Sequence, residues 1–387
     1  MTDRSARPGS PRALRNQNRE RIVATLRLHG RLAQADLARE TGLATATVSN
    51  IVRELTETGE VLVTADGGRR KTIRLARKTG YVVGVDYGHR HITAAVSDLS
   101  HEILAEQRSS LSGTATAEEG MAAAARLTAS ALAAAGADRS EVVGAAIGLP
   151  APIERTTHRV GSPSILPGWV GVDAGALATD ALDLPVTVSV DNDANLGALA
   201  ERRWGAGMHT SDLIYLKLSE GVGAGLIIGG RPYAGITGTA GEIGHTTVDE
   251  FGDVCRCGNR GCLETLVSAR RVAGLLAETA GQELTIAEIV DRARLGHRAY
   301  RRVLEDVGRQ VGRSLADVCS VFNPELIVLG GELAQASAIL IPAIQQVVDR
   351  CGVPSAADAA RIVPAKLGAR THVLGAIALA LADVGTT

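Results

Sequence analysis

Aromatic side chains are almost missing from this chain: two Phe, two Trp and five Tyr among 387 residues. Its cores must therefore rest on aliphatic packing. With 45% apolar residues and 44 Gly, the composition is still that of a globular Ala- and Gly-rich protein, which excludes disordered and fibrous classes. Long apolar runs are also lacking. Gly or a charge interrupts every stretch before the roughly 20 residues a spanning helix needs, so a bilayer role is excluded. A secretory leader is not expected either, because Arg4, Arg7, Arg12 and Arg15 are followed by no apolar segment. The expected compartment is the cytoplasm, where disulfides are disfavoured.

Nor is there a net charge of one sign: 41 Lys and Arg stand against 42 Asp and Glu. The balance hides an asymmetry. Residues 1–80 hold 16 cations and 8 acids, which leaves 25 cations and 34 acids for the rest. A basic N-terminal part on an acidic body points to nucleic acid for the first and a small uncharged molecule for the second. The length allows two or three units, each with its own core.

Residues 1–15 lack periodicity and are expected to form a disordered basic arm. A winged helix-turn-helix DNA-binding unit is expected over 16–78. Ile22, Val23, Leu26 and Leu28 give a first helix an apolar face, with Gly30 as its stop. A second helix spans about Gln34–Thr41, and Gly42-Leu43 makes a turn. The third begins with Thr45 as N-cap. Its stripe Val48, Ile51, Val52, Leu55 has core spacing, while Thr45, Ala46, Thr47, Ser49, Asn50 and Arg53 are free to approach base edges. Strands at Val61–Thr64 and Thr72–Leu75 frame a wing whose tip, Arg69, Arg70 and Lys71, suits phosphates or a narrow minor groove. A helical bundle alone would equally fit a protein-binding domain; bundle, turn, wing and charge together indicate double-stranded operator DNA.

Beyond Lys78, strands are expected at Tyr81–Asp86, His91–Asp98, Ile103–Gln107 and Val142–Gly148, with an Ala-rich helix at about Ala115–Ala135. A comparable set recurs at Leu213–Leu218, Gly223–Ile228 and Leu326–Leu329. This duplicated α/β pattern suits a two-lobed actin/hexokinase-like (ribonuclease H-like) fold. The lobes are expected at 79–190 and 191–387, with the last helix returning to the first lobe.

His245, Cys255, Cys257 and Cys262 form a one-His, three-Cys set. Four N/S donors with no open position describe a structural Zn²⁺ site. A disulfide would leave the histidine unexplained. Cys319 and Cys351 lie in apolar helical contexts and are expected to be buried and inert.

The run Gly241-Glu242-Ile243-Gly244-His245, the cysteine segment ending in Cys262-Leu263-Glu264, Asp191-Asn192-Asp193-Ala194-Asn195 and Asn323-Pro324-Glu325 through Gly330-Gly331 resemble motifs of the ROK family (repressors, open reading frames and kinases). The resemblance covers about residues 16–380. It implies a sugar-kinase-like fold in which Asn192, Asp193, Glu242, His245 and Glu264 contact a sugar, with Asp193 at the position of the kinase base. It also implies a sugar-responsive transcriptional regulator, of the repressor kind, acting on carbohydrate uptake or metabolism as a homodimer or homotetramer. The alternative is a glucokinase-like, ATP-dependent sugar kinase that also binds DNA.

The phosphate loops of such kinases usually read Asp-x-Gly-Gly-Thr and Gly-Thr-Gly-x-Gly. Here they are Asp86-Tyr87-Gly88-His89-Arg90 and Ser219-Glu220-Gly221-Val222-Gly223. His89 and Arg90 replace small residues that let backbone N–H groups approach phosphate. Glu220 adds a repulsion of up to ~4 kcal/mol for charges about 4 Å apart at an effective dielectric near 20. ATP/Mg²⁺ is therefore not expected, and the chain is expected to be no enzyme. Ser164-Ile165 stands before Leu166 where the family often carries a sugar-binding Asn, so glucose, xylose, N-acetylglucosamine and an oligosaccharide product all stay open as ligand.

Overall fold

The computed structural model describes residues 11–65, 71–76, 80–161, 166 and 168–384. The expected disordered arm is corrected in part: α1 runs Pro11–His29, so residues 11–15 are helical, while 1–10 lie outside the described residues. The reason is electrostatic. Arg15 pairs with Glu54 and Arg19 with Glu60, which ties a stretch with no apolar periodicity to the rest of the unit.

After β1 (Arg31–Ala33) comes α2 (Gln34–Thr41), closed by Gly42 in the left-handed region at φ 65°. In α3 (Thr45–Glu57) the N-cap is Ala44, without a side-chain cap; Thr45 is the first helical residue, which corrects the expected capping role. The strands β2 (Val61–Ala65) and β3 (Lys71–Leu75) pair antiparallel, and β1 adds to β3 as a third strand. Three residues are too few to show alternation, so β1 was not foreseen. Ile22, Leu26, Leu37, Val48, Ile51, Leu55, Val61 and Ile73 close the core of this unit.

The body holds two five-stranded sheets. The first takes β4 (Tyr81–Tyr87), β5 (His91–Asp98), β6 (Ile103–Ser110), β7 (Val142–Leu149) and β8 (Val188–Asn192) in the order β6-β5-β4-β7-β8. Its helices are α4 (Ala117–Ala135), started by a Thr116/Glu119 capping box, and α5 (Ala174–Leu182). α6 (Asp193–Trp204) then crosses to the second sheet, built from β9 (Leu213–Leu218), β10 (Val222–Ile228) and the two-residue β11 (Arg231–Pro232). After α7 (Leu263–Val267), α8 (Ala269–Ala280), α9 (Ile286–Arg294) and α10 (Arg298–Phe322) comes β12 (Leu326–Gly330). The elements α11 (Ser337–Cys351), α12 (Pro354–Ala359), β13 (Arg361–Pro364) and α13 (Thr371–Val384) complete the chain. The order β11-β10-β9-β12-β13 repeats the first sheet's mix of antiparallel and parallel neighbours. No helix among the described residues is long and apolar enough to cross a membrane.

With few aromatics to fill space, the elements approach closely through glycine. α13 lies on β4, β7 and α6, and a Cβ on Gly375 would sit 2.1 Å from the Leu196 carbonyl oxygen. Gly375→Ala must therefore drive α6 and α13 apart. We expect a loss of about 1–3 kcal/mol, read as a lower urea midpoint with unchanged slope.

Candidate functional site

The His/Cys₃ cluster is assembled by a loop with little core of its own. Gly241 (φ 97°) lets the chain turn into the single helical turn Ile243–His245, and Gly258 (φ 91°) and Gly261 (φ 62°) bend the cysteine segment. A Cβ on Gly261 would lie 1.4 Å from the Asp249 carbonyl oxygen, so only glycine fits. Cys262 then caps α7. The donor atoms of His245, Cys255, Cys257 and Cys262 all lie within 4.8 Å of one another. Cys255 Sγ is 3.5 Å from His245 Nδ1, and Cys257 Sγ is 3.6 Å from Cys262 Sγ. Four donors about 2.3 Å from one ion stand roughly 3.8 Å apart, so the set fits a tetrahedral cation such as zinc. All cysteines are free thiols. Burial pushes Cys255 up, and burial with the two neighbouring thiols pushes Cys262 up to about 12, so a cation is what would hold them as thiolates. Of the remaining thiols, Cys319 is buried as expected. Cys351, at the end of α11, is exposed, which corrects the other expectation; the last turn of a helix places its final residues outward.

His245 links this cluster to a cavity. Its Nδ1 faces the thiols while Nε2 points at Glu242 Oε2, 3.8 Å away. A carboxylate on the second ring nitrogen is the usual support for a metal-binding histidine. Asn192, Asp193, Glu242, His245 and Glu264 all line the same cavity. Asn192 ends β8 and caps α6: its side-chain oxygen accepts the Ala194 N–H at 2.8 Å and its amide donates to the Ala151 carbonyl at 3.0 Å. Asp193 opens α6 and is buried; Glu264 sits in the first turn of α7 and accepts the Val222 N–H at 2.9 Å.

Two cations in this cavity were not foreseen. Lys217, buried on β9, forms an ion pair with Asp193, and Arg256, between two metal-ligand cysteines, forms one with Glu264. The available signal was a lysine inside the otherwise apolar strand Leu213–Leu218, since a buried lysine almost always has a partner. Glu242 is ion-paired to neither cation, although Arg256 and Lys217 both favour its charged form. Burial, then repulsion from Asp193 and Glu264, raises it to about 7. The cavity thus combines carboxyl groups with ammonium and guanidinium donors, which matches hydroxyl groups that both donate and accept.

Beside it lies a second cavity of about 510 Å³, lined by His89, Arg90, Glu220, Arg270, Glu283 and Glu332 among others. Glu332, next to the Gly330-Gly331 turn, was also missed. Burial and the nearby Glu220 raise its carboxyl above the usual range, against the opposing pull of Arg90 and His91.

On the N-terminal unit, Thr45, Ala46, Ser49, Asn50 and Arg53 are exposed along one side of α3, and Thr47 is half-buried. The Arg53 guanidinium donates to Asn50 Oδ1 at 3.3 Å. Lys71 is exposed at the start of β3; Arg69 and Arg70 lie outside the described residues, as do Ser164 and Ile165.

Residues 82–383 match the model described as the ROK family, and residues 16–76 match a domain of unknown function, DUF7343. The chain is 28% identical over 396 residues to the xylose repressor of Caldicellulosiruptor bescii, covering 97% of this chain and 98% of that protein. Among solved structures it is similar to a ROK family transcriptional regulator, a homologue of the E. coli MLC protein (TM-score 0.74, 26% identity, 96% of this chain and 97% of that one). It is also similar to a ROK family glucokinase from Streptomyces griseus in complex with glucose and AMPPNP (TM-score 0.69, 29% identity, 78% and 99%).

Proposed function

The chain belongs to the ROK family, and from that premise we propose that it is a sugar-responsive transcriptional repressor of carbohydrate uptake or metabolism that senses its sugar without phosphorylating it. One observation carries the reading: a cavity of paired acids and cations, braced by a His/Cys₃ cluster, shares a chain with an exposed polar recognition-helix face. Likeness to a repressor along nearly the whole chain supports it.

In this reading Asn192, Asp193, Glu242, His245 and Glu264, joined by Lys217 and Arg256, hold the sugar hydroxyls. Zinc on His245, Cys255, Cys257 and Cys262 serves structure, because four protein donors leave it no open position. Asp193 does not act as a base, because the Lys217 ammonium occupies one carboxylate oxygen, and in the neighbouring cavity Glu220, Glu283 and Glu332 outnumber Arg90 and Arg270, which disfavours a triphosphate. The protein works as a homo-oligomer in the cytoplasm, with Thr45, Ala46, Thr47, Ser49, Asn50 and Arg53 in the major groove and Arg69, Arg70 and Lys71 on the backbone.

The test is operator binding to the chain's own upstream DNA, titrated with D-xylose, D-glucose and N-acetylglucosamine. Binding should weaken with rising salt and shift with one of these sugars, while ADP release in their presence stays at background. No binding to that DNA, or turnover of ATP with any of them, overturns the reading. Arg53→Ala should cost about 1–3 kcal/mol, roughly 5- to 150-fold in operator affinity.

A further inference from the structure

The two ends of α6 touch different parts of the molecule. Its N-terminus presents Asp193 to the sugar cavity, and twelve residues or about 18 Å later it ends in Arg202-Arg203-Trp204. Between these ends the helix is fixed on several sides. Glu201, with no exposed surface, accepts N–H bonds from Ala206 (2.7 Å), Lys366 (3.2 Å) and Leu367 (3.0 Å). The Arg203 guanidinium donates to the Ala378 carbonyl at 3.1 Å, and backbone contacts through Gly225 and Gly375 hold the helix against β10 and α13. A rod packed in this way moves as a unit, because close-packed interfaces switch between arrangements and do not deform smoothly.

The far end of the rod meets the DNA-binding unit. His101, in the turn between β5 and β6, has Arg203 at 3.1 Å from its Nε2 and Trp204 edge-on at 5.7 Å. Arg203 also lies 5.1 Å over the Trp204 ring. The other side of the imidazole is covered by Gly30, just past α1: a Cβ there would stand 2.6 Å from His101 Nδ1. His101 holds a left-handed backbone (φ 69°), a conformation that disfavours a side chain and here delivers the ring to this spot. The neighbouring His29 is half-buried. Burial lowers its pKa, Glu40 opposes this, and Arg203, Arg202 and His209 add to the lowering. A second contact lies alongside, where Arg74 of β3 donates to Ser100 Oγ at 3.3 Å and Asp98 holds Ser100 in turn.

We propose that the end of α6 and the β5–β6 turn form a docking surface for the chain's own DNA-binding unit, with His101 as the joint through which sugar occupancy reaches the recognition helix. This rests on the sugar-sensing reading above. These contacts are hydrogen bonds and ring edges beside a contact of α1 with α13, and polar contacts of this kind are ones that a ligand can shift. Sugar needs only to bind the docked and undocked arrangements unequally, and a 5- to 150-fold change in operator affinity lies within roughly 1–3 kcal/mol of coupling.

The experiment uses the full chain and the variant His101→Asn, whose short side chain tolerates a left-handed backbone but cannot reach both Gly30 and Arg203. Calorimetry with D-xylose, D-glucose and N-acetylglucosamine should show the variant still binding the sugar that the wild type binds, with an affinity moved by no more than the coupling factor, while the ratio of operator affinities with and without sugar falls to about one in the variant. Independently of any sugar, hydrogen exchange at the Gly30 amide, which donates to Leu26 at 2.8 Å, should quicken about tenfold as the end of α1 loses its cover. An unchanged ratio in a variant that still binds sugar overturns the joint, and so does unchanged exchange at Gly30. If the wild-type protein binds operator with no response to sugar, the sensing reading fails, and the exchange measurement still decides whether the docking surface exists.

Discussion

Replacing Cys257 by Ser will remove both the metal and the sugar response. Structural zinc contributes on the order of 10–16 kcal/mol of apparent binding energy in small thiolate sites, and that energy is also what folds the segment around it. The segment from 245 to 262 has little else to fold on. Phe251 is 91% exposed and Val254 66% exposed, which leaves Val248 as its one aliphatic side chain packed on the core. Loss of one thiolate releases His245, and with it the imidazole that faces Glu242 in the cavity. We expect metal content to fall from one ion per chain to below about a tenth and sugar affinity to drop roughly 100-fold or more. Cys351→Ser, at an exposed thiol remote from the cluster, should change neither. Retention of full metal content and full sugar affinity in Cys257→Ser would refute the coupling between clamp and cavity.

The second large effect is expected at Lys217. Asp193 and Lys217 are 4% and 8% exposed and are paired to each other, so Lys217→Met leaves a buried carboxylate without its countercharge. Breaking such a pair from one side costs about 3–5 kcal/mol, whereas replacing both partners by apolar residues of similar volume is close to neutral. Urea unfolding should therefore show a large loss for Lys217→Met and recovery of most of it in the double variant Lys217→Met/Asp193→Leu. Equal stability of Lys217→Met and wild type would mean that the pair carries no buried charge. The single variant should also bind sugar less tightly, because two ammonium hydrogens remain available after the bond to Asp193.

Much of this molecule could be read along the chain. The helices of the DNA-binding unit declare themselves through apolar residues three and four apart, as in Val48, Ile51, Val52 and Leu55, all of which are buried. The strands of the body follow from short aliphatic runs bounded by glycine, and the first sheet's expected members lie within one or two residues of their observed ends or, for β6, three. The metal set was readable because its three cysteines fall within eight residues and the histidine ten before them, so local chain geometry alone brings the donors together. Where the pattern was ionic, as at the start of α1, or too short, as at β1, no periodicity existed to be read.

Sequence by itself determined the elements, the metal cluster and the family, since each depends on residues near one another along the chain or on motifs that survive out of context. Tertiary structure alone decided which charges meet: Lys217 with Asp193 from β9 and α6, Glu332 beside Glu220 from two separate turns, and Arg203 with His101 across 102 positions. These pairings depend on the register of the sheets and on where α6 comes to rest. A long-range contact is fixed by packing that no stretch of sequence contains.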